Sequence, residues 1–183
     1  RRAVQERARI AAEGRRGSLL CLATHDQTIA MWDVASDRRL FEKRVPGIEG
    51  LEAFDDGCFV RVRSDDSEST VRRYDRRGES RVVGEKASSM TLAEDLLYIA
   101  SGDRLVLIDA DGTRREREEL RIDPGVTALG VIDEEYVVAG YRDGNLELLP
   151  LDSNVERPSF TFEDVPSSPV VRIIEGPEGT LIA

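Results

Sequence analysis

The sequence predicts an all-β chain of β-propeller blades, each of four antiparallel strands: about four blades and part of a fifth. One observation is a segment that recurs four times: a short apolar strand, a polar turn, and a second strand ending in a large apolar residue. In three copies Asp follows directly. The copies are LLCLATHDQTIAMWD, CFVRVRSDDSESTVRRYD, LLYIASGDRLVLID and YVVAGYRDGNLELLPLD. A second observation is the period. The large apolar residues are Trp32, Tyr74, Ile108 and Leu149, at intervals of 42, 34 and 41 residues, and a period near 40 is the mark of blades. A third is the turn chemistry, since SDRR, DRRGES, DADG and LDSN are compact and polar, as hairpin connections require.

With the strands of a blade lettered a to d, the first unit takes b from 18 to 24, c from 28 to 34 and d from 40 to 45. The second takes a from 48 to 54, b from 58 to 63, c from 70 to 75 and d from 80 to 83. The third runs through SSMTLAE, LLYIAS, RLVLID and REREELRI, and the fourth through VTALGVI, EYVVAGY, NLELLPL and SFTFEDV. The tail PVVRIIEGPEGTLIA fits strands a and b of a fifth unit, with EGPEG as their turn. The blades are therefore expected at 1–46, 47–86, 87–124 and 125–167, with a partial blade at 168–183. Two strands alone would leave an open edge, which folded proteins cover or blunt, so the chain reads as a segment of a larger propeller. Residues 1–16 allow two readings. Their Ala, Glu and Arg content suits a helix, whereas the repeat phase places strand a of blade one there.

Composition excludes several functions. With a net charge of -10, the chain lacks the basic footprint that nucleic acids and anionic membranes select. Neither an apolar run of membrane-spanning length nor a signal-peptide pattern is visible. Cys21 and Cys58 sit in apolar strands, LLCLA and CFVRV, where unpaired Cys acts as a small hydrophobe. A zinc cluster or disulfide framework is not indicated, so a reduced, cytoplasmic setting is expected.

The run ATHDQTIAMWDV resembles the second half of a WD repeat: Asp26 stands six residues before Trp32, and Asp33 follows it. The resemblance implies that Asp26 holds the b-to-c turn through backbone N–H groups and that Trp32 wedges between blades. Tyr74-Asp75 and Ile108-Asp109 keep the acid without the Trp, while Asp103 and Asp143 preserve the turn acid in later units. The Gly-His dipeptide of many WD repeats is absent, and the single His is His25. LVLIDADGTRRE is similar to the strand-turn of quinoprotein-like propellers, the second choice of family, though no aromatic docking residue follows.

Candidate sites have plain alternatives. Asp109, Asp111 and Gly112 suggest the start of a calcium loop but lack its later ligands, so a hairpin turn is the better reading. His25 beside Asp26 has the makings of a base and its orienting acid, without a nucleophile placed by any motif. Unit two concentrates Arg61, Arg63, Arg72, Arg73, Arg76, Arg77 and Arg81. These read as cross-strand ion pairs, with a phosphate or acidic-peptide site as the alternative. The alternating REREEL run reads as a charge-protected edge strand.

The functional expectation is a non-catalytic protein-interaction or sensor module within a larger signalling protein, with no cofactor. Its partner contacts would come from His25, Gln27, Arg63, Arg104, Arg142 and Asn145 on loops held by a rigid frame. The acidic balance favours a protein or peptide with a basic patch, alongside the remaining blades or other domains of the parent protein. The alternatives are a quinoprotein-like propeller with an enzymatic or cofactor-binding role, and a purely structural domain packing within its own chain.

Overall fold

Short runs of β-branched and aromatic residues ended by Asp, Gly and Ser make every regular element among the described residues a strand. The computed structural model describes residues 8–14, 17–64, 68–115, 120–132, 135–151, 168–175 and 181–182. The first sheet contains β1 (Ala8–Glu13), β2 (Leu19–Thr24), β3 (Thr28–Asp33) and β4 (Arg38–Arg44) in sequential antiparallel order. The second holds β5 (Ile48–Ala53), β6 (Gly57–Arg63), β7 (Ser69–Asp75) and β8 (Ser80–Gly84). The third holds β9 (Ala87–Ala93), β10 (Leu96–Ser101), β11 (Arg104–Asp109) and β12 (Leu120–Arg121), and the fourth β13 (Val126–Ile132), β14 (Tyr136–Tyr141) and β15 (Leu146–Pro150). A two-stranded pair, β16 (Ile174–Glu175) and β17 (Leu181–Ile182), follows.

This is the propeller-blade arrangement that the repeat predicts. The innermost strands β1, β5, β9, β13 and β16 stand side by side in chain order, and the described sheets do not close into a ring. The opening segment takes the strand reading, with β1 pairing along β2. Two expected outer strands are not fully described: the SFTFEDV run lies outside the described residues, as do 116–119 of the REREEL run.

The core is a stack of apolar layers between successive sheets. Leu19, Cys21, Met31, Leu51, Val60 and Tyr74 fill the layer between the first and second sheets. Phe54, Phe59, Val71, Leu97, Ile99 and Ile108 fill the next. Tyr98, Leu105, Leu129, Val137 and Leu149 fill the third. Beyond the fourth sheet, Val170 and Ile173 pack on Ala128, Ile132 and Val138. Gly130 and Gly140 admit them, because a Cβ at either glycine would come within 2.5 Å of Ile173 or Val170.

Tyr74, Ile108 and Leu149 fall on equivalent strand positions opposite Cys58, Leu97 and Val137. All six are buried. This is the physical content of the repeat: one c-strand side chain and its b-strand partner face the preceding sheet.

The cysteines correct the sequence reading. Cys21 on β2 and Cys58 on β6 are joined in a disulfide, with Cα atoms 6.5 Å apart and no exposed surface. The two residues look like ordinary apolar strand positions because they are also that. Each points from the middle of its sheet into the same inter-sheet layer, and stacking of the sheets brings together residues 37 apart in sequence. The covalent link therefore staples blade one to blade two.

Candidate functional site: a cationic basin on the upper rim

Because the strands of each sheet run up and down in order, all b-to-c and d-to-a connections emerge at one rim, here called the upper. The a-to-b and c-to-d turns emerge at the lower rim. The two rims are built differently.

At the lower rim, carboxylates hold the hairpins. Asp33 Oδ1 accepts the Ser36 N–H at 3.0 Å, which holds that carboxyl below the usual range. Asp75 Oδ1 accepts the N–H groups of Arg77 and Glu79, both at 2.9 Å. Asp109 takes the Arg115 guanidinium at 2.7 Å, and Asp111 takes the Thr113 N–H at 2.7 Å. The DADG segment is thus a hairpin turn closed by Gly112 N–H to Asp109 C=O, with Gly112 at φ 84°. Arginines of the second blade tie these turns together. Arg73 donates to Ala110 C=O and to Asp56, each at 2.7 Å, Arg76 donates to Asp55 C=O at 2.9 Å, and Arg81 donates to Asp111 C=O.

The upper rim carries a structural repeat that the sequence did not reveal. In each of the four larger sheets, the pairing of strands a and b shifts register by one residue near the upper end. The shifts skip Arg9, Glu49, Ser88 and Thr127. Such bulges leave one residue out of the ladder and re-aim its side chain. Three of the four, Glu49, Ser88 and Thr127, line one cleft of about 710 Å³. Arg61, Arg63, Glu68, Ser69, Lys86 and Arg142 complete its polar wall.

Within this basin Glu49 is the anchor. Its carboxylate pairs with Arg63 and accepts the Ser69 hydroxyl at 2.7 Å. Arg61 Nε lies 3.9 Å from Glu49, beyond hydrogen-bond reach. That nitrogen is buried without a hydrogen-bond partner among the described residues. Burial depresses the Arg61 pKa, Glu49 partly offsets this, and Arg63 adds to the depression. Lys86 stands 3.7 Å from Glu68. Arg63 and Lys86 keep 63% and 67% of their side chains in solvent, so two cationic heads remain accessible. The Thr127 hydroxyl donates to the Val170 carbonyl at 2.6 Å, with the Gly140 carbonyl 3.1 Å away, and the Ser88 hydroxyl lies 3.4 Å from the carbonyl of Ala100. Gly47 fixes the Arg63 end of β6: it has φ 76°, and Arg63 N–H donates to its carbonyl at 2.8 Å.

A smaller cleft of about 240 Å³ lies farther along the rim, lined by Asp103, Arg121, Ile122, Asp123, Pro124 and Glu147. Beside it the Tyr141 hydroxyl donates to Glu147 at 2.5 Å. Burial, then this carboxylate, raises the tyrosine's pKa.

The sequence-selected loop residues separate. Arg63 and Arg142 come together in the basin. Arg104 pairs with Asp103 at 3.7 Å. Asn145 serves its own turn, with its backbone N–H and side-chain amide both donating to Asp143. His25 and Gln27 are exposed in the first b-to-c turn and line neither cleft; Gln27 bends the chain at φ 63°. There Asp26 takes the hydroxyl of Thr24.

Trp32 does not wedge between described blades. Met31, its neighbour on β3, points into the layer against the second sheet, so Trp32 lies on the opposite face. It is half-buried there, its Nε1 is shielded without a hydrogen-bond partner among the described residues, and the Arg39 guanidinium is 5.9 Å from its ring. Glu52, on the face of β5 opposite Leu51 and Ala53, is another group missed by motif reading. Burial pushes its pKa up to about 7, against the opposing charge of Arg172.

No protein-family model and no curated protein sequence matches the chain. Solved structures do match it in fold. A chain of the S. cerevisiae Dbp5 assembly with Nup159 and Gle1 aligns with a TM-score of 0.61 at 16% identity, over 91% of this chain and 49% of that one. The extracellular domain of the putative one-component system BT4673 from B. thetaiotaomicron gives 0.63 at 12% identity, over 96% and 26%. The computationally designed Ika4 protein gives 0.55 at 18%, over 78% and 89%. The chain thus spans about half the length of the first of these and a quarter of the second. Among the described residues, no helix is long and apolar enough to cross a membrane.

Proposed function

We propose that this chain is a non-catalytic protein-interaction or sensor module, a WD-like propeller segment of a larger signalling protein that engages its partner through the upper rim. The observation that carries the reading is the basin. Three successive blades, through the same bulge on each inner strand, direct Glu49, Ser88 and Thr127 toward one recess bordered by Arg61, Arg63, Lys86 and Arg142. Rigid strands carrying variable rim side chains are a frame for recognition, since function lives in sites grafted on folds. The net charge of -10 selects basic surfaces at long range, whereas contact at the rim is governed by the local, opposite charge. The Cys21–Cys58 link supports an oxidising compartment as the module's setting over the cytoplasm expected from the sequence, because disulfides persist where thiols are not continuously reduced.

The reading is tested by quantitative affinity capture with the wild-type chain, an upper-rim triple variant (R63A, R142A and N145A) and a lower-rim R77A variant. A partner retained by wild type and R77A but lost by the triple variant supports it. Equal retention by all three contradicts it.

A further inference from the structure

We propose that the upper-rim basin is a recognition site for an acidic peptide segment, whose carboxylates are received by Arg63, Lys86 and Arg142 above the half-buried Arg61. The proposal rests on the module reading and adds the chemistry of the ligand.

Charge is the first support. Three guanidinium groups and one ammonium face two carboxylates in the basin, a local excess of positive charge in a chain of net charge -10. Clefts lined by one sign of charge concentrate the opposite sign. Incomplete pairing is the second. Glu49 is shared by Arg61, Arg63 and Ser69, and Glu68 holds Lys86 only at 3.7 Å. Arg142 has no ion pair among the described residues. A guanidinium presents its donors as a planar fork matched to a carboxylate, so each incompletely used Arg can accept one more.

Spacing and size distinguish a peptide from a compact anion. The cations come from β6, from the connection between β8 and β9, and from the connection between β14 and β15, so they border the recess from the second blade, its link to the third, and the fourth. A volume of about 710 Å³ lies in the range of small-molecule clefts and far exceeds a single oxyanion. Several negative charges strung along an extended chain satisfy separated cations; one phosphate reaches only some of them.

The test is fluorescence anisotropy with a labelled hexaglutamate peptide and the whole chain, as wild type, R63E/R142E, E49Q and R77E, each checked for fold by circular dichroism. The wild type is expected to bind with an affinity that falls as salt rises. R63E/R142E should weaken binding by about tenfold or more, the scale for reversing two contacting charges. R77E, at the other rim, should stay within about twofold. E49Q should bind at least as tightly as wild type, because it removes the internal competitor for Arg63. If R63E/R142E is unfolded, R63Q/R142Q carries the comparison. Absence of binding by the wild type, or equal binding by the charge-reversed variant, overturns the proposal. Displacement by equimolar inorganic phosphate would also overturn it, in favour of a free oxyanion site. A partner captured through the upper rim without hexaglutamate binding would sink this proposal and leave the module reading standing.

Discussion

Reducing the Cys21–Cys58 disulfide perturbs the fold at the junction of its first two blades, and the size of the effect follows from the chain. The link closes a loop of 37 residues. Releasing it returns entropy to the unfolded chain of about 2.1 + 1.5R ln 37, or about 13 cal/mol/K, equivalent to about 4 kcal/mol at 25 °C. The folded state loses little else, because both sulfurs stay in the apolar layer with Met31, Val60 and Tyr74. For a chain of this length each kcal/mol moves the melting temperature by about 2–4 °C, so reduction should lower it by about 8–16 °C. The assay is differential scanning calorimetry with and without a phosphine reductant, with alkylation and mass measurement of the unfolded, unreduced protein. Two alkylated cysteines in the unreduced sample would refute the pairing. A shift below about 2 °C on confirmed reduction would refute the account of what the pairing does.

Glu52 sets a pH dependence of the opposite sense to most carboxylates. Its folded pKa of about 7 lies above the ordinary 4.5, so the folded state holds the proton more tightly than the unfolded state. Its contribution is complete below about pH 4.5 and is lost as pH rises through 7, by at most about 3 kcal/mol. Urea titrations at pH 5.5 and 8 should show the wild type losing stability relative to E52Q; parallel behaviour would refute the burial effect. Tyr74→Ala should cost about 3–5 kcal/mol, because it empties a packed layer. The half-buried Trp32 at the equivalent position should cost clearly less, and equal losses in urea would refute the outward placement of Trp32. Gly47→Ala forces a side chain onto φ 76° and within 2.4 Å of the Arg63 carbonyl, and should cost more than about 1 kcal/mol. A neutral Gly47→Ala melt would show that this turn does not constrain the end of β6.

The strands were legible because their signals are local. LLYIAS and RLVLID coincide with β10 and β11 to the residue, since alternating apolar side chains between Asp and Gly turns leave one register. Tyr74, Ile108 and Leu149 were legible as equivalent positions for the same reason. Trp32 followed the same pattern, but what a c-strand side chain meets depends on the sheet beside it, and β3 presents Trp32 away from the second sheet. The disulfide was invisible because pairing depends on two sheets stacking, and a buried half-cystine has the same neighbours as a buried thiol. The basin was half legible. Arg63 and Arg142 stand at the ends of b-strands and invite attention as loop cations, whereas Glu49, Ser88 and Thr127 join them through register shifts that leave no mark on side-chain alternation. His25 and Gln27 met the same loop criterion as Arg63, yet their turn belongs to the first blade, which lines neither cleft.

Hydrogen–deuterium exchange of the whole chain, with and without hexaglutamate, tests the upper-rim account most directly. The account predicts slowed exchange at the backbone amides of Arg63 and Ser64, of 86–88, of 125–127 and of Arg142, with the lower-rim turns at 76–79 and 110–113 unchanged. Protection confined to those lower-rim turns, or unchanged exchange along the upper rim at saturating peptide, would contradict it.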